Sequence, residues 1–248
     1  MPSAPEPRPR LVTGLQPVRE AIRVHGSRLT RLVVEDRDVP RLEAVARFAR
    51  DQGVTDVRRL PRRDLDRLAE GAQHQGVLAL APELELHDLD ELLDDPELVA
   101  LALDGIEDPQ NFGAVIRSAV GIAGAAVIWG EHSSAPLTPA TFRASAGAIE
   151  HARLCRVRSL ATALEQAKAT GMLVIGLEAQ AEQELRDLDL SGRVLLVIGS
   201  EGEGMARAVR RACDVRVSLL SMQRLDSLNA SVAAGIALYE VTRQRRRA

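Results

Sequence analysis

An unbroken apolar run that opens directly into a glycine-rich loop is the feature that most constrains the fold. Residues 193–198 read Arg-Val-Leu-Leu-Val-Ile, and residues 199–205 continue with Gly-Ser-Glu-Gly-Glu-Gly-Met. Consecutive apolar side chains are typical of a strand that is buried on both faces, as in a parallel sheet. A second apolar run, residues 215–220, leads into residues 225–231, Leu-Asp-Ser-Leu-Asn-Ala-Ser. Loops that follow neighbouring strands form the ligand-binding edge of an open α/β sheet, so the two junctions predict a ligand site.

The rest of the chain divides into segments of different composition. Residues 1–10 are rich in proline and predict a flexible tail. Residues 11–84 alternate short strand and helix patterns, which predicts a compact N-terminal α/β domain. Residues 85–97 contain seven acidic side chains and no arginine or lysine, which favours a solvated linker with one helical turn. Residues 98–248 alternate again and predict a domain with a largely parallel sheet and helices on both of its faces.

The composition limits the classes to which the protein can belong. A formal net charge of −3 does not by itself indicate a nucleic-acid partner, although the basic side chains are arginine, a bidentate phosphate ligand, except for Lys168. The two cysteines, Cys155 and Cys213, lie far apart and lack the spacing of metal ligands, so we expect buried thiols, a reducing compartment and no metal. Because no signal peptide or membrane-spanning apolar run is evident, we expect a cytoplasmic protein with no membrane partner.

Polar side chains precede two of the predicted helices. Asn111 comes before a predicted helix whose apolar face is formed by residues 112, 115, 116, 119, 120 and 123. One interpretation is that Asn111 merely caps this helix. Arg117 lies off that face, where it could share a ligand with the loop or simply face solvent. Ser227, Asn229 and Ser231 alternate before residues 232–240, a predicted helix that is apolar nearly all round and should be buried. Capping accounts for one of these three polar residues, and a polar ligand would satisfy the others.

The glycine loop matches neither of two common phosphate-binding patterns. Its order, Gly199-x-x-Gly202-x-Gly204, differs from the dinucleotide-binding fingerprint, and no Walker lysine follows it. A plain turn is one interpretation. A ligand loop is the other, because acidic side chains such as Glu201 stand among the glycines without an apolar packing role. His74, before the last strand of the N-terminal domain, is more typical of a structural histidine than of a ligand.

Three of these segments together resemble the three motifs of the SpoU (TrmH-like) family of SPOUT-class methyltransferases. The matching segments are residues 103–117, 198–205 and 225–240. The N-terminal domain, with Gly14 near its start and His-Gln-Gly at residues 74–76, resembles the ribosomal-protein-like RNA-binding domain of bacterial 23S rRNA guanosine-2′-O-methyltransferases. One departure is Leu-Ser at residues 220–221, where relatives often have proline and methionine, and it affects the rim of the adenine pocket.

The resemblance implies a fold, a partner and a cofactor that the residue patterns alone do not reveal. It implies a deep trefoil knot at the C-terminus, a homodimer, and S-adenosylmethionine as the methyl donor. The residues that match cofactor-binding positions of the family are Gly199, Glu201, Gly202, Leu219 and Leu228. Those that match its active-site positions are Asn111, Arg117, Glu201, Ser227, Asn229 and Ser231, and RNA contacts are implied for His74, Gln75 and Arg117.

The activity implied by the resemblance is methylation of a ribose 2′-hydroxyl in RNA, with a guanosine of 23S rRNA as the first candidate. The extra N-terminal domain favours rRNA, because family members that act on tRNA generally lack it. Alternatives are methylation of tRNA or of an antibiotic-target nucleotide of rRNA, RNA binding without catalysis, and a nucleotide-phosphate enzyme. We expect Arg117 to contact the 2′-hydroxyl and a phosphate. Asn111 and Ser231 would fix the geometry, and Glu201 would orient either Arg117 or the loop.

Overall fold

The chain forms two compact units. The computed structural model describes residues 9–132, 137–219 and 228–246. The first unit contains the chain up to Glu85 together with Ala146–His151, and the second unit contains Leu86–Ser145 and the chain from Ala152 onward. No sequence pattern predicted that Ala146–His151 belongs with the N-terminal residues, because periodicity does not report contacts between distant segments.

The first unit is built on a mixed sheet with helices on both faces. Its elements in chain order are β1 (Arg10–Thr13), α1 (Leu15–His25), β2 (Arg31–Glu35), α2 (Pro40–Asp51), β3 (Val57–Leu60), α3 (Arg62–Leu68) and β4 (Val77–Ala81). The strand order is β1-β4-β2-β3, with β2 parallel to β3 and β4 antiparallel to β1 and β2. Successive strand side chains point to opposite faces. Accordingly, Leu32 and Val34 pack with α1 and α2, whereas Val33 packs with α3.

Most elements of the first unit agree with the sequence predictions, and β1 is the exception. Four apolar residues of α2 stand at helical spacing in the sequence, and all four are buried: Leu42, Val45, Ala46 and Ala49. The flexible tail was predicted to include Arg10, and this is wrong. The backbone of Arg10 is in register with Ala81 in β4, and its guanidinium forms an ion pair with Glu150. Proline-rich composition before Arg10 hid the strand.

Glu150 is a buried carboxylate of the first unit. Its side chain is 1% exposed, and it lies between Arg10 and His25. Arg10 Nη1 donates to Glu150 Oε1 at 2.8 Å, and His25 Nε2 lies 2.9 Å from Glu150 Oε2. Burial raises the pKa of Glu150, but hydrogen bonds from His25 and Arg10 outweigh it and hold the pKa below its ordinary value. Ionised Glu150 therefore ties Ala146–His151 to the rest of this unit.

The second unit is built on a parallel six-stranded sheet, as the sequence predicted. Its strands are β5 (Val99–Asp104), β6 (Ala126–Gly130), β7 (Leu154–Val157), β8 (Leu173–Leu177), β9 (Val194–Gly199) and β10 (Val215–Val217), in the order β10-β8-β9-β5-β6-β7. Every strand pair in this sheet is parallel. Its helices are α4 (Leu89–Leu93), α5 (Pro109–Ser118), α6 (Pro139–Ala144), α7 (Leu160–Ala169), α8 (Arg207–Ala212) and α9 (Ala230–Arg245). The central strands β5 and β9 are buried along most of their length, as their continuous apolar sequences predicted.

The acidic segment before β5 is more ordered than a solvated linker. Residues 86–97 are part of the second unit and contain α4. The helical turn that the sequence predicted is α4, but Leu92 and Leu93 are buried in the core of that unit, so the prediction of a solvated linker is wrong. The many acidic side chains dominated the composition, whereas two leucines decide the packing.

Helix α9 is buried on one face and exposed on another, which corrects the prediction of burial all round. Ala234, Ala237, Leu238 and Val241 are buried. Three large apolar side chains are exposed instead: Val232 by 48%, Ile236 by 37% and Tyr239 by 63%.

The trefoil knot stays a prediction, because the path of residues 220–227 is outside the described part of the chain. In that described part, no helix combines the length and the apolar character needed to cross a membrane.

Candidate active site

The glycine loop follows β9 as a tight turn. The backbone N–H of Ser200 donates to the carbonyl of Gly204 at 3.1 Å, and the N–H of Gly204 donates back to Ser200 at 3.0 Å. A Cβ on Gly199 would lie 2.3 Å from the carbonyl carbon of Gly204, so no side chain fits there. Gly202 adopts a φ of +97°, a conformation that glycine adopts without strain. The loop therefore requires its glycines, which argues against a plain turn of arbitrary sequence.

Asp104 holds the far end of this loop. It ends β5 opposite Gly199 in β9, and its Oδ2 accepts a hydrogen bond from the backbone N–H of Ala206 at 2.6 Å. Burial raises the pKa of Asp104, and the hydrogen bond from Ala206 only partly opposes that shift. Sequence reasoning missed this residue, although an aspartate at the end of an apolar strand was the available signal.

Glu201, in the glycine loop, forms hydrogen bonds with the beginnings of two helices, α5 and α9. Its Oε1 accepts from the side-chain amide of Asn111 at 3.1 Å and from that of Asn229 at 2.6 Å. The backbone N–H of Ala230 lies 3.3 Å from the same oxygen. The amide of Asn229 also donates to Asn111 Oδ1 at 2.9 Å. Residues separated widely in sequence thus form one hydrogen-bonded network at the carboxyl edge of the sheet.

Two helix caps keep this network in place. Asp108, not Asn111, caps α5 by accepting from the N–H groups of Gln110 and Asn111, so the side chain of Asn111 remains available to Glu201. Asn229 caps α9, and its Oδ1 accepts from the backbone N–H of Ser231 at 3.0 Å and from Ser231 Oγ at 2.6 Å. The Oδ1 of Asn229 therefore caps α9, while its Nδ2 donates to Glu201 and Asn111.

Not every predicted active-site residue joins the network. Arg117 is exposed on α5 and forms no hydrogen bond or ion pair with any residue that the structure describes. The hydrogen bonds of Glu201 go to Asn111, Asn229 and Ala230, and none goes to Arg117. Of the remaining positions, Leu219 follows β10 and is half-buried, Leu228 is 37% exposed, and Ser227 lies outside the described residues.

His74 and Gln75, predicted to contact RNA, both have partners in the first unit. His74 is 5% exposed; its Nδ1 accepts from the N–H of Gly76 at 3.0 Å, and its Nε2 lies 2.9 Å from Asp66 Oδ1. These hydrogen bonds hold the turn before β4, and the RNA contact of His74 stays a prediction. Gln75 is exposed, and its Oε1 accepts from the N–H of Leu15 at 2.9 Å.

The described residues include neither a reactive thiol nor a cluster of metal-binding side chains. Both cysteines are free, and burial raises the pKa of each thiol to about 11, so neither is a ready nucleophile. No group of three or more His, Cys, Asp or Glu side chains in residues 9–132, 137–219 and 228–246 is arranged to hold a metal ion.

Comparison with known families explains this architecture. The SpoU rRNA Methylase family matches residues 98–239, and the family described as RNA 2′-O ribose methyltransferase substrate binding matches residues 11–87. These two matches together identify the chain as an RNA 2′-O-ribose methyltransferase. The chain belongs to the SpoU rRNA Methylase family.

Individual relatives match over nearly the whole chain. An uncharacterized tRNA/rRNA methyltransferase of Mycolicibacterium vanbaalenii is 38% identical over 96% of this chain and 77% of its own length. The structure of the SpoU methyltransferase AviRb from Streptomyces viridochromogenes, in complex with AdoMet, is 26% identical and covers 96% of this chain and 91% of that one, with a TM-score of 0.78. An rRNA methyltransferase from Sinorhizobium meliloti is 25% identical and covers 96% and 88%, with a TM-score of 0.77.

Proposed function

We propose that this RNA methyltransferase transfers a methyl group from S-adenosylmethionine to the 2′-hydroxyl of a guanosine in 23S rRNA. The observation that carries the proposal is the hydrogen-bonded network of Glu201, Asn111 and Asn229, which joins all three family-like segments at one sheet edge. The rRNA target is supported by the Sinorhizobium meliloti rRNA methyltransferase, whose match includes the substrate-binding part of the chain. We propose the cytoplasm as the compartment, since that is where a bacterial-type rRNA substrate would be met.

The backbone at the end of β9 suits S-adenosylmethionine, which AviRb binds. A side chain at Gly199 would collide with the loop, so this turn offers main chain rather than side chains to a ligand. Gly199, Gly202, Leu219 and Leu228 are the residues that would hold the cofactor. When bound, it supplies an electrophilic methyl group on a sulfonium sulfur. Glu201 is assigned to holding the loop, because one of its oxygens already accepts three hydrogen bonds.

Arg117 is the proposed catalytic residue. Its exposed guanidinium has no partner in the described residues, so it is available to the RNA. A guanidinium stays protonated in proteins and cannot act as the base. It can instead stabilise negative charge on the 2′-oxygen and bind the neighbouring phosphate, while the hydroxyl proton leaves to phosphate or water. Asn111 and Ser231, which are fixed through Asn229, would align the ribose.

Mapping of 2′-O-methyl groups tests the target. RNA from cells with and without the gene would be compared nucleotide by nucleotide in rRNA and in tRNA. We expect one guanosine of 23S rRNA to lose its methyl group in the deletion strain and to regain it with the wild-type gene. A loss confined to tRNA, or to a methyl group on a base, would contradict the proposal.

A homodimer is also proposed, and the exposed face of α9 supports it. Val232, Ile236 and Tyr239 are large, apolar and exposed. Their spacing of three or four residues puts them along one side of the helix. Contiguous exposed apolar side chains of this kind mark interaction surfaces.

A further inference from the structure

A pocket of about 460 Å³ lies in the first unit, and none of its lining residues was assigned to methyl transfer. The turn after β2, the first residues of α2, α3, and residues 71–76 form its walls. A volume of this size is in the range of small-molecule sites. The pocket is therefore large enough to hold a group that projects from a larger ligand.

The segment of residues 70–76, which includes the pocket wall at residues 71–76, has an unusual backbone conformation. Glu70 and Gln75 adopt positive φ angles of 49° and 53°, which are uncommon for residues other than glycine. The hydrogen bonds of His74 and the bond from the Leu15 N–H to Gln75 hold this conformation. Backbone strain that the surrounding structure maintains is often found at ligand sites. The wall is thus preformed.

Two of the three arginine side chains that line the pocket are unpaired, whereas the third, Arg62, forms an ion pair with Asp66. Arg37 and Arg41 line the pocket, are exposed, and form no ion pair with any residue in the described part of the chain. By contrast, Arg31 and Arg58 both pair with Asp56, and Arg59 pairs with Glu43. Free guanidinium groups are suited to bidentate binding of phosphate. Helix α2 also begins at the pocket without a side-chain cap, and its dipole favours an anion there.

A carboxylate at the same pocket is available for a different contact. Glu35 is half-buried, and its side chain makes no hydrogen bond to any described residue. Gly76 makes room for it, since a Cβ there would lie 3.0 Å from Glu35 Oε2 and 3.1 Å from Leu42 Cδ1. The other acidic lining residue, Asp66, is engaged by His74. A carboxylate accepts hydrogen bonds from the amino groups of nucleobases, which uracil lacks.

We propose that this pocket binds one unpaired nucleotide of the RNA substrate, with phosphate on Arg37 and Arg41 and an amino-bearing base against Glu35. The proposal rests on the proposed function, because RNA is the substrate. Proteins recognise RNA sequence mainly through unpaired bases, whose edges are free for hydrogen bonds and whose faces stack on side chains such as arginine. The first unit would in this way read base identity in the target RNA.

Binding of short RNAs to the full-length protein tests the proposal. The probes are fluorescein-labelled single-stranded decamers of uridine in which one central nucleotide is G, A, C or U, measured by anisotropy over a series of salt concentrations. We expect wild type to bind at least one amino-bearing decamer about 5-fold or more tightly than the all-uridine decamer. Glu35→Ala should remove that preference, whereas Asp51→Ala, an exposed acid at the end of α2, should keep it.

The arginines give a second readout with a matched control. The double variant Arg37→Ala, Arg41→Ala should weaken binding of every decamer and reduce the slope of log K against log salt by about 1.4, or about 0.7 for each phosphate contact. Arg47→Ala removes an exposed arginine of α2 that lies outside the pocket. This control should leave the affinity for the decamers and the salt slope nearly unchanged.

Several results would overturn the proposal. These are equal losses for the double variant and Arg47→Ala, a wild type without base preference, or a preference that survives in Glu35→Ala. Ultraviolet cross-linking of the decamers to wild type, mapped by mass spectrometry, checks the site without any substitution. Cross-links at residues 37–42 or 71–76 support it, and cross-links elsewhere alone overturn it. The decamer binding assay contains no methyl donor, so it tests RNA binding separately from methyl transfer. A protein that binds the decamers as expected but transfers no methyl group would contradict the proposed function and not the pocket.

Discussion

The carboxylate of Glu201 accepts three hydrogen bonds through one oxygen, from Asn111, Asn229 and the backbone of Ala230. Because this oxygen connects the glycine loop to α5 and α9, Glu201→Ala should lower kcat/KM for RNA by about 10-fold or more, corresponding to roughly 1.4 kcal/mol. Glu201→Gln should lose less activity, since an amide oxygen can accept the same three hydrogen bonds. Steady-state methyl transfer measures both. Equal activity of wild type and the alanine variant would contradict a positioning role.

Arg117→Ala should lower kcat by about 100-fold or more, because it removes a charged donor from the developing negative charge on the ribose oxygen. Its affinity for S-adenosylmethionine, measured by calorimetry, should stay unchanged, since Arg117 has no contact with the loop residues that the structure describes. Arg211→Ala removes an exposed arginine on α8 and serves as the control. Wild-type turnover by a folded Arg117→Ala protein would refute the catalytic assignment.

Glu150 makes stability depend on pH. Its pKa in the folded chain lies below the ordinary value of 4.5, so its ionised form stabilises the fold above that pH, and the contribution is lost as the pH falls through the folded pKa. Removing one partner of a buried ion pair is costly, so Glu150→Gln should lower the free energy of unfolding by about 3 kcal/mol at pH 7. Urea unfolding from pH 7 to pH 3 should show this gap shrinking below pH 4.5. A gap of constant size would contradict the assignment, and Glu182→Gln, at an exposed position, is the control.

At the scale of residues, the sequence indicated which polar side chains meet but not how they meet. Asn111, Asn229 and Ser231 were predictable because polar groups after parallel strands converge at one sheet edge. The choice of Asp108 as the cap of α5, and of Asp104 as the anchor of Ala206, depends on short-range geometry that residue spacing does not contain. The burial of His74 and its hydrogen bond with the N–H of Gly76 were not predictable, because one position in a sequence does not report burial.

The loop after β9 can be tested as a structural element. Gly199→Ala places a Cβ 2.3 Å from the carbonyl carbon of Gly204, so the loop must shift. We expect this variant to lose most of its affinity for S-adenosylmethionine in calorimetry while keeping its far-UV circular dichroism. Gly192→Ala is the matched control, because a Cβ there meets no atom within 4 Å. Normal affinity in Gly199→Ala would contradict the assignment of this loop to the cofactor.

Elements with a strong hydrophobic period were predictable, and those decided by a few side chains were not. The apolar runs of β5 and β9 and the helical spacing of α2 each reflect burial that local sequence determines. β1 is only four residues long and follows prolines, so its pairing with β4 depends on a distant partner. For α9, the apolar composition predicted burial. It did not indicate that one face would be buried within the same chain and another face left exposed.

The exposed face of α9 leads to a prediction about the whole molecule. If two copies associate through Val232, Ile236 and Tyr239, then Ile236→Asp should shift the sedimentation coefficient from dimer to monomer, because a charge would be buried in an apolar contact. Glu182→Gln, on the exposed surface of the same unit, should remain dimeric. A wild-type protein that sediments as a monomer at micromolar concentration would contradict the homodimer.

Across the whole molecule, two α/β units were predictable from the alternation of strand and helix patterns. The place of Ala146–His151 in the first unit was not, because it depends on Glu150 meeting Arg10 and His25 across more than 100 positions of sequence. The knot likewise concerns the path of the chain and leaves no signature in periodicity, so it follows from the family resemblance alone.

The position of the transferred methyl group tests the central claim most directly. Purified protein would be incubated with methyl-deuterated S-adenosylmethionine and rRNA from cells that lack the gene, and the RNA would be digested to nucleosides for mass spectrometry. We expect deuterated methyl to appear in 2′-O-methylguanosine, and we expect Arg117→Ala to form it about 100-fold or more slowly. Label found only in a base-methylated nucleoside, or in none, would contradict the account.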